Sequence, residues 1–283
     1  MKTTFTSLLI LLVTCGSISA QRNVFGDRWQ INNFGLTTGI NMDYHHDMSL
    51  QWMADHTANS EVIQLPEEGF DRKDIYGEVA GVTFAGQVGL NRANDTFEGH
   101  DSSRELVLSA QVITGREAFI SYAYDIPRTN QRMEETIGFC LMDNEFNLGA
   151  EYRMVKRKGP LDLHLGAGSF MGSTFNPDML ILRYRGRRFN GEFEPVSYAA
   201  DAAFYTSDDY QSSTEIHQGN TSQFARAYVS AGVGFVIAKH FEFNMQMRGG
   251  IGVEYTRKSR TTSRLSNFGF LMGVRWHIPK FRN

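Results

Sequence analysis

The chain has 283 residues, and its 28 lysines and arginines nearly balance its 31 aspartates and glutamates, giving a net charge of −3. This balance excludes the strongly basic surface typical of nucleic-acid-binding proteins, so we expect no nucleic-acid partner. The mean hydropathy is −0.33, and no stretch after Val13 approaches the roughly 20 apolar residues that a membrane-spanning helix needs.

The first 20 residues have the composition of a cleavable secretory signal peptide. Lys2 provides a positive start, Leu8–Val13 form a short apolar run, and small residues precede the predicted cleavage site after Ala20. A lipoprotein signal with an acylated Cys15 is the alternative, although threonine is a poor residue before such a cysteine. Cleavage after Ala20 leaves Cys140 as the only cysteine, so no intramolecular disulfide is expected.

Alternation of apolar and polar residues, the period of a β-strand, recurs along the rest of the chain. It starts at Phe34, after a polar segment at 21–33 that we predict to be periplasmic, and it is lost over 45–74. The alternating segments are 34–44, 76–90, 104–113, 117–124, 146–154, 161–167, 225–237, 241–255 and 268–278. The sequence therefore predicts an all-β protein.

Residues 241–255 show the alternation most clearly. Odd positions carry Phe, Met, Ile, Val and Tyr apart from one Gly, whereas even positions carry Glu, Asn, Gln, Arg and Gly. In a soluble sheet the apolar face of such a strand packs on a core. In a membrane barrel that face contacts lipid, and the charged face lines the interior.

The connections between the predicted strands alternate in length. Long connections are predicted at 91–103, 125–144 and 174–223, and short ones at 114–115, 156–160 and 239–240. An up-and-down barrel predicts this rhythm because one rim carries short periplasmic turns and the other carries long external loops. Soluble Greek-key sandwiches have no reason to alternate, although a soluble periplasmic β protein remains the alternative.

We therefore predict a transmembrane antiparallel up-and-down β-barrel over residues 34–283, with its longest external loop at about 174–223. Eight strands follow residue 76, and 34–44 makes a ninth. Even parity then requires either a tenth strand within 45–74 or one strand outside the wall. The expected number is 8 to 10 strands, and we prefer ten to eight.

The pattern over 34–281 resembles the small outer-membrane β-barrel proteins of Gram-negative bacteria, of the OmpA/OmpX-like type. The resemblance implies export by the signal peptide to the outer membrane and contact with outer-membrane lipid and lipopolysaccharide. It also implies recognition by the barrel-assembly machinery through a terminal aromatic residue. Trp276 and Phe281 lie near that position, but residues 279–283 run past the usual ending.

The polar faces of the strands carry charges of both signs. A bore of eight to ten strands is only about wide enough for side chains, so we expect these charges to fill it as a network of ion pairs. The predicted interior residues are Glu105, Glu117, Glu145, Glu151, Arg153, Asp162, His164, Arg226, Glu242, Arg248, Glu254 and Arg275. Aromatic residues near strand ends are expected to form interfacial girdles, namely Tyr44, Tyr122, Tyr124, Tyr152, Tyr255, Trp276 and Phe281.

The long insert at 174–223 contains the external basic cluster Arg183, Arg185, Arg187 and Arg188. Arginines there are expected to contact the phosphate and carboxylate groups of lipopolysaccharide. A further surface ligand is left open. The expected role is structural or in surface interaction, with a narrow channel for small solutes as the alternative.

A lipid A-modifying enzyme is the less favoured alternative. His164 with Asp162, and Ser169 or Ser121, could supply catalytic groups, but no nucleophile motif surrounds either serine. We therefore predict no catalytic residues. No metal or cofactor is expected either, because the histidines at 45, 46 and 56 lack the spacing of a metal site.

Overall fold

The computed structural model describes residues 29–65, 70–92, 102–128, 131–189, 192–193, 211–238 and 240–278. The predicted signal peptide, residues 1–20, lies outside this part of the chain. The strands are β1 (Trp29–His45), β2 (Asp71–Arg92), β3 (Ser102–Arg128), β4 (Gln131–Lys158), β5 (Leu161–Phe189), β6 (Glu192–Phe193), β7 (Gln211–Gln218), β8 (Ser222–Ala238), β9 (Phe241–Thr256) and β10 (Thr261–His277).

Two short helices lie between β1 and β2, the α-helix α1 (Leu50–Asp55) and a 3-10 helix (Ser60–Val62). No helix in the described ranges is long and apolar enough to cross a membrane. The first strand begins at Trp29, five residues before the predicted start of the barrel at Phe34. The remainder of the predicted N-terminal segment, 21–28, is outside the described residues.

Eight strands form a closed antiparallel ring in the order β1–β2–β3–β4–β5–β8–β9–β10. Pairing of β10 with β1, from Leu265 opposite His45 to His277 opposite Asn33, closes the ring. The predicted antiparallel up-and-down barrel is therefore confirmed. The preference for ten strands is wrong, because β6 and β7 pair with the far part of β5 and are not part of the ring.

The strand ends define two rims. The rim that carries the start of β1, the end of β10 and the two-residue connections 159–160 and 239–240 is called the turn rim. The opposite rim, called the loop rim, carries the connection 46–70 and the turn at 257–260.

The predicted alternation of connection lengths is wrong in detail. Ser102 lies opposite Lys156 and Trp29 opposite Arg92, so the strand ends that flank 93–101 are at the turn rim, together with the two-residue turns. The predicted loop at 125–144 is strand at its described residues, 125–128 and 131–144. The predicted insert at 174–223 begins as a continuation of β5 and includes β7.

The predicted turn at Thr114–Gly115 is a β-bulge within β3. Ile113 lies opposite Glu145, but Arg116 lies opposite Asp143, so β3 has one residue more than its partner at this point. Gly115 has a φ of +67°, a conformation that glycine adopts without strain. The extra residue reverses the side-chain phase, so that Arg116 lies inward.

Strands β3, β4 and β5 have 27, 28 and 29 residues, whereas β9 has 16. At about 3.3 Å per residue, the excess length of these strands over β9 corresponds to roughly 40 Å past the loop rim. The inner face of this extension is apolar: Ile137, Phe139 and Leu141 of β4 are all buried. An extended sheet with one apolar face requires a cover.

The connection at 46–65, called the plug, supplies that cover. Its residues Met48, Trp52, Met53 and Ile63 pack with side chains from β2, β3, β4 and β5. The partners are Val79, Ala118, Ile120, Ile137, Phe139, Leu141, Met179 and Ile181. The principal apolar core of the described chain therefore lies at the loop rim, not within the ring.

The outer face of the ring is apolar and exposed. Each ring strand contributes at least one large apolar side chain that is more than a third exposed, and no second layer of described residues covers this face. One from each strand is Leu36, Phe84, Leu108, Leu148, Leu165, Val229, Ile251 and Phe268. The outward Ile251 is 70% exposed, whereas the inward Arg248 and Glu254 on the same strand are buried.

The bulge gives a matched pair of glycine substitutions. Gly115→Ala should lower the free energy of unfolding by about 1–2 kcal/mol, the cost of an L-residue in the left-handed region. Gly249→Ala on β9 has open space around the new Cβ and no positive φ, so it should change stability by less than about 0.5 kcal/mol. Denaturant unfolding in detergent measures both variants, and equal losses would contradict the bulge.

Candidate functional site

The interior of the ring brings together eleven of the twelve charged residues expected there. None of the eleven is more than 5% exposed. The prediction for Glu117 is wrong: the bulge turns this residue to the outer face of β3, where it is exposed. Arg116 takes the inward position instead and is 2% exposed.

At the loop-rim end of the interior, two arginines and three carboxylates form one cluster, called the loop-rim network. It consists of Asp43, Arg116, Asp143, Glu145 and Arg226. The Asp43 carboxylate lies 2.6 Å from Arg226 and 3.4 Å from Arg116. Arg116 also lies 3.0 Å from Asp143 and 2.8 Å from Glu145, and Arg226 contacts Glu145 through both terminal nitrogens.

Phe224 of β8 holds the two arginines of this network in place. The Arg226 guanidinium lies 4.4 Å and that of Arg116 4.9 Å from the centre of its ring. Cations over an aromatic face are stabilised, and more so when water is excluded. The network is therefore fixed by packing as well as by charge.

Glu151 is the centre of a second cluster, midway through the interior. It accepts hydrogen bonds from Arg153 at 2.6 Å, Ser230 at 2.6 Å, Gln246 at 2.8 Å and Tyr228 at 3.0 Å. Such a number of donors strongly favours the ionised carboxylate. The interior is thus occupied by mutually bonded side chains at this level.

Arg248 completes this middle layer. It lies 3.5 Å from Glu151 and 5.0 Å from the ring centres of both Phe170 and Tyr228, which stack on each other. Two aromatic rings and a guanidinium fill the width of the bore here. The positive charge of Arg248 is therefore stabilised by the Glu151 carboxylate and by the faces of two aromatic rings.

Toward the turn rim, the remaining interior charges also pair. Glu105 lies 3.4 Å from Arg275, Glu242 lies 2.8 Å from His277, and Asp162 lies 2.5 Å from Arg157. Leaving one member of a buried pair alone would be costly. Carboxylates of the interior are therefore paired with cations from one rim to the other.

The plug is joined to the interior through His56, the residue that ends α1. Its Nδ1 donates to the Trp52 carbonyl oxygen at 2.7 Å, and its Nε2 lies 3.0 Å from Glu254. The Trp52 ring stacks on the imidazole at 3.8 Å. Burial alone would lower the pKa of His56, but the Glu254 carboxylate outweighs it and raises the pKa above its usual value.

Other contacts tie the plug to the opposite side of the ring. Thr57 forms a β-bridge with Gly219, and the Asn220 side-chain amide donates to the carbonyl oxygens of Asp55 and Thr57. Lys258 donates to the carbonyl of Ala58. The plug therefore spans the mouth of the barrel from the β5 side to the β9 side.

The predicted external basic cluster is only partly described. Arg183 is half-buried on the inner face of the extension, in a cleft that it lines with Glu61 and Glu215. The register places Arg185 opposite Glu135, while the side chains of Arg185, Arg187 and Arg188 lie outside the described residues. Arg183 thus faces carboxylates of its own chain.

The groups considered for catalysis do not meet. Asp162 is bound by Arg157 through two hydrogen bonds of 2.5 Å. His164 lies inward, whereas Ser169 is exposed on the outer face of the same strand and Ser121 belongs to the extension. The geometry gives no nucleophile within reach of His164 from either serine.

Four important residues were absent from the predicted interior set: Asp43, Arg116, Asp143 and His56. Asp43 shares the polar phase of 35–41 on β1, so periodicity alone could have found it. Arg116 and Asp143 lie beside the bulge, where the phase reverses. His56 lies in a segment without periodicity, and no sequence signal indicated its partner.

No protein-family model and no curated protein matches the chain. Several solved structures match over most of its length, among them the following three. Neisserial surface protein A aligns at 10% identity and a TM-score of 0.33, covering 87% of this chain and 97% of its own. OprG from Pseudomonas aeruginosa aligns at 8% identity and a TM-score of 0.33, covering 88% and 97%.

The third is Ail, the attachment invasion locus protein of Yersinia pestis, solved with the heparin analogue sucrose octasulfate. It aligns at 8% identity and a TM-score of 0.27, covering 87% of this chain and 99% of its own. The expected resemblance to small outer-membrane β-barrel proteins is therefore found among solved structures. At these TM-scores the basis for the fold is the closed ring itself, and the matches carry no argument about function.

Removing one charge from the loop-rim network should destabilise the barrel. Asp43→Asn keeps the side-chain volume but leaves Arg116 and Arg226 with fewer buried counter-charges, so the free energy of unfolding should fall by about 3–5 kcal/mol. Asp178→Asn, at an exposed position, should change it by less than about 0.5 kcal/mol. Guanidinium unfolding followed by tryptophan fluorescence measures both, and a neutral Asp43→Asn would contradict the network.

Docking of the plug should depend on pH through His56. Because its pKa is raised in the folded protein, its stabilisation is fully present below the ordinary value of 6.5 and is lost as pH rises through the folded value. Amide exchange in Leu50–Asp55, corrected for intrinsic rates, should be slower at pH 6 than at pH 9. His56→Gln should abolish this difference, and His240→Gln, at a half-buried histidine of the turn rim, should keep it. An unchanged response in His56→Gln would contradict the assignment.

Proposed function

We propose that the protein is a non-enzymatic integral outer-membrane barrel with a structural or surface-interaction role. The observation that carries this proposal is the inverted arrangement of the ring, with large exposed apolar side chains outside and buried ion pairs inside. Hydrocarbon admits such a sheet only when it closes, because every strand edge must be hydrogen-bonded. The pairing of β10 with β1 meets that condition.

Aromatic side chains support the position of the ring in the bilayer. Tyr44 and Tyr255 near the loop rim, and Trp276 near the turn rim, are 38–48% exposed on the outer face. Tyr152 is also exposed on this face, but it lies near the middle of the wall. Such residues favour the two membrane interfaces. In the proposed membrane position, the turn rim is on the periplasmic side and the plug is on the external side.

Two other residues expected in the girdles lie elsewhere. Tyr122 packs against the apolar core under the plug, and Tyr124 packs on Phe70 at 5.4 Å. Both belong to the extension of β3 past the bulge, which continues beyond the ring. Phe281 lies outside the described residues.

The filled interior favours a scaffold over a conduit. Ion pairs and stacked rings occupy the bore at three levels, and the plug crosses its mouth. The surface that remains for interaction is the loop rim, with the extension and the turns around it. Rigid scaffolds commonly carry recognition on such loops. Export through residues 1–20, insertion by the barrel-assembly machinery and contact with lipopolysaccharide are parts of the same proposal.

Membrane fractionation tests the location. The protein should be found with outer-membrane markers, resist extraction by high salt, and migrate differently on a denaturing gel when unheated, because a closed barrel resists detergent. A periplasmic soluble fraction, with identical mobility heated and unheated, would overturn the proposal in favour of a soluble β protein.

Planar bilayers test the filled interior. The wild-type protein should give no steady single-channel openings, because the paired charges leave no continuous aqueous path. The double variant Glu151→Ala with Arg248→Ala lacks the charged groups of the middle layer. Its conductance is compared with that of the wild type. Steady openings of the wild type would instead support the channel alternative.

A further inference from the structure

The turn between β9 and β10 concentrates exposed positive charge on the loop rim. Four cations lie within eight residues, Arg257, Lys258, Arg260 and Arg264, and all four are exposed. Every arginine of the interior networks lies near a carboxylate, but none of these four has an ion-pair partner among the described residues. This group is called the basic turn.

The basic turn lies directly beside the apolar outer face. Arg264 is opposite Val253, Thr262 is opposite Tyr255, and Ser266 is opposite Tyr44. Val253, Tyr255 and Tyr44 are each more than a third exposed. A ligand bound there would meet cations at one end and an apolar strip with two tyrosines at the other.

Hydrogen bonds connect the basic turn to the plug and join residues within it. Lys258 is bound to the Ala58 carbonyl of the plug, and the Arg264 carbonyl accepts from His46 N at 3.3 Å. The Ser259 and Thr261 hydroxyls are 2.8 Å apart. Binding would therefore cost little ordering of this turn.

Neutral polar groups adjoin the cations. A cleft at the loop rim is lined by Asn220 and Thr221 together with Arg257 and Lys258. An amide oxygen and a hydroxyl beside a guanidinium and an ammonium group suit a ligand that has hydroxyls as well as phosphates. Four cations exceed the charge of one simple phosphodiester headgroup, so more than one phosphate fits the turn better.

We propose that the basic turn binds the phosphates of a phosphorylated glycolipid in the leaflet at the loop rim, with the acyl chains along Val253 and Tyr255. This inference rests on the proposed membrane location. It assigns the lipid contact to the basic turn in place of the expected cluster around Arg183, which faces Glu61 and Glu215. The apolar strip distinguishes a lipid from a free anion, which would gain nothing from it.

The turn rim offers a matched control for charge. Arg104, Lys156 and Lys158 are also exposed there. This set has three cations, as does the set Arg257, Arg260 and Arg264. Neutralising either set therefore changes the net charge by the same amount. Lys258 is left unchanged because of its bond to the plug.

The experiment is native mass spectrometry of the full-length mature protein in a neutral detergent, titrated with bis-phosphorylated lipid A. Each near-surface cation strengthens binding to anionic lipid roughly fivefold, so Arg257→Gln/Arg260→Gln/Arg264→Gln should weaken binding at least tenfold. Arg104→Gln/Lys156→Gln/Lys158→Gln should bind within about twofold of wild type. The unheated gel shift verifies that both variants are folded.

Three outcomes would overturn the inference: equal losses in the two triple variants, no binding by wild type, or displacement of the lipid by millimolar inorganic phosphate. Monophosphorylated lipid A should bind more weakly than the bis-phosphorylated form, and equal affinity would contradict a site for two phosphates. Wild-type protein that fractionates with the outer membrane but fails these tests refutes the inference alone. Protein found in the soluble fraction refutes the proposed function instead.

Discussion

Contact of the outer face with hydrocarbon is the constraint on which the rest of the proposed account depends. A ring whose outside is apolar must close, since an open edge would leave backbone groups without partners. The polar residues of every strand are then turned into a bore only wide enough for side chains. Charges there are tolerable only when they are paired, and Asp43, Glu151 and Arg248 each lie next to a group of opposite charge.

The same constraint displaces the apolar core. The ring interior is occupied mainly by charged and polar side chains, so the helix α1 and its neighbours pack where β3, β4 and β5 extend past the loop rim. Trp52 and His56 connect that core to Glu254, which lies at the loop-rim end of β9. The plug is thus joined by apolar packing to one side of the barrel and by hydrogen bonds to the other, and the mouth is covered as a consequence.

Sequence periodicity predicted most of the strands and the direction of most side chains, because burial in this protein alternates with period two. The closed antiparallel fold was predicted from the alternation of connection lengths, which the structure does not keep at 114–115 or around 93–101. It could not distinguish the Thr114–Gly115 bulge from a hairpin turn, since both show a glycine between two alternating runs. That error split β3 and misplaced Glu117. Past the bulge the apolar residues lie on the inner face, whereas in the ring the polar residues do. The sequence alternates in both parts, so the pattern alone did not show that the inward residues had changed. Contacts between distant segments, such as His56 with Glu254, have no local signal.

Spin labels on β9 test the central claim most directly. After Cys140→Ala, single cysteines at 247, 249, 251 and 253 should carry labels that collide readily with oxygen and poorly with a water-soluble nickel chelate in lipid vesicles. Labels at the neighbouring loop-rim turn, 257 and 260, should show the reverse. Strong chelate collision, or shielding from both reagents, at the odd strand positions would mean that water or protein covers this face, and would contradict the account.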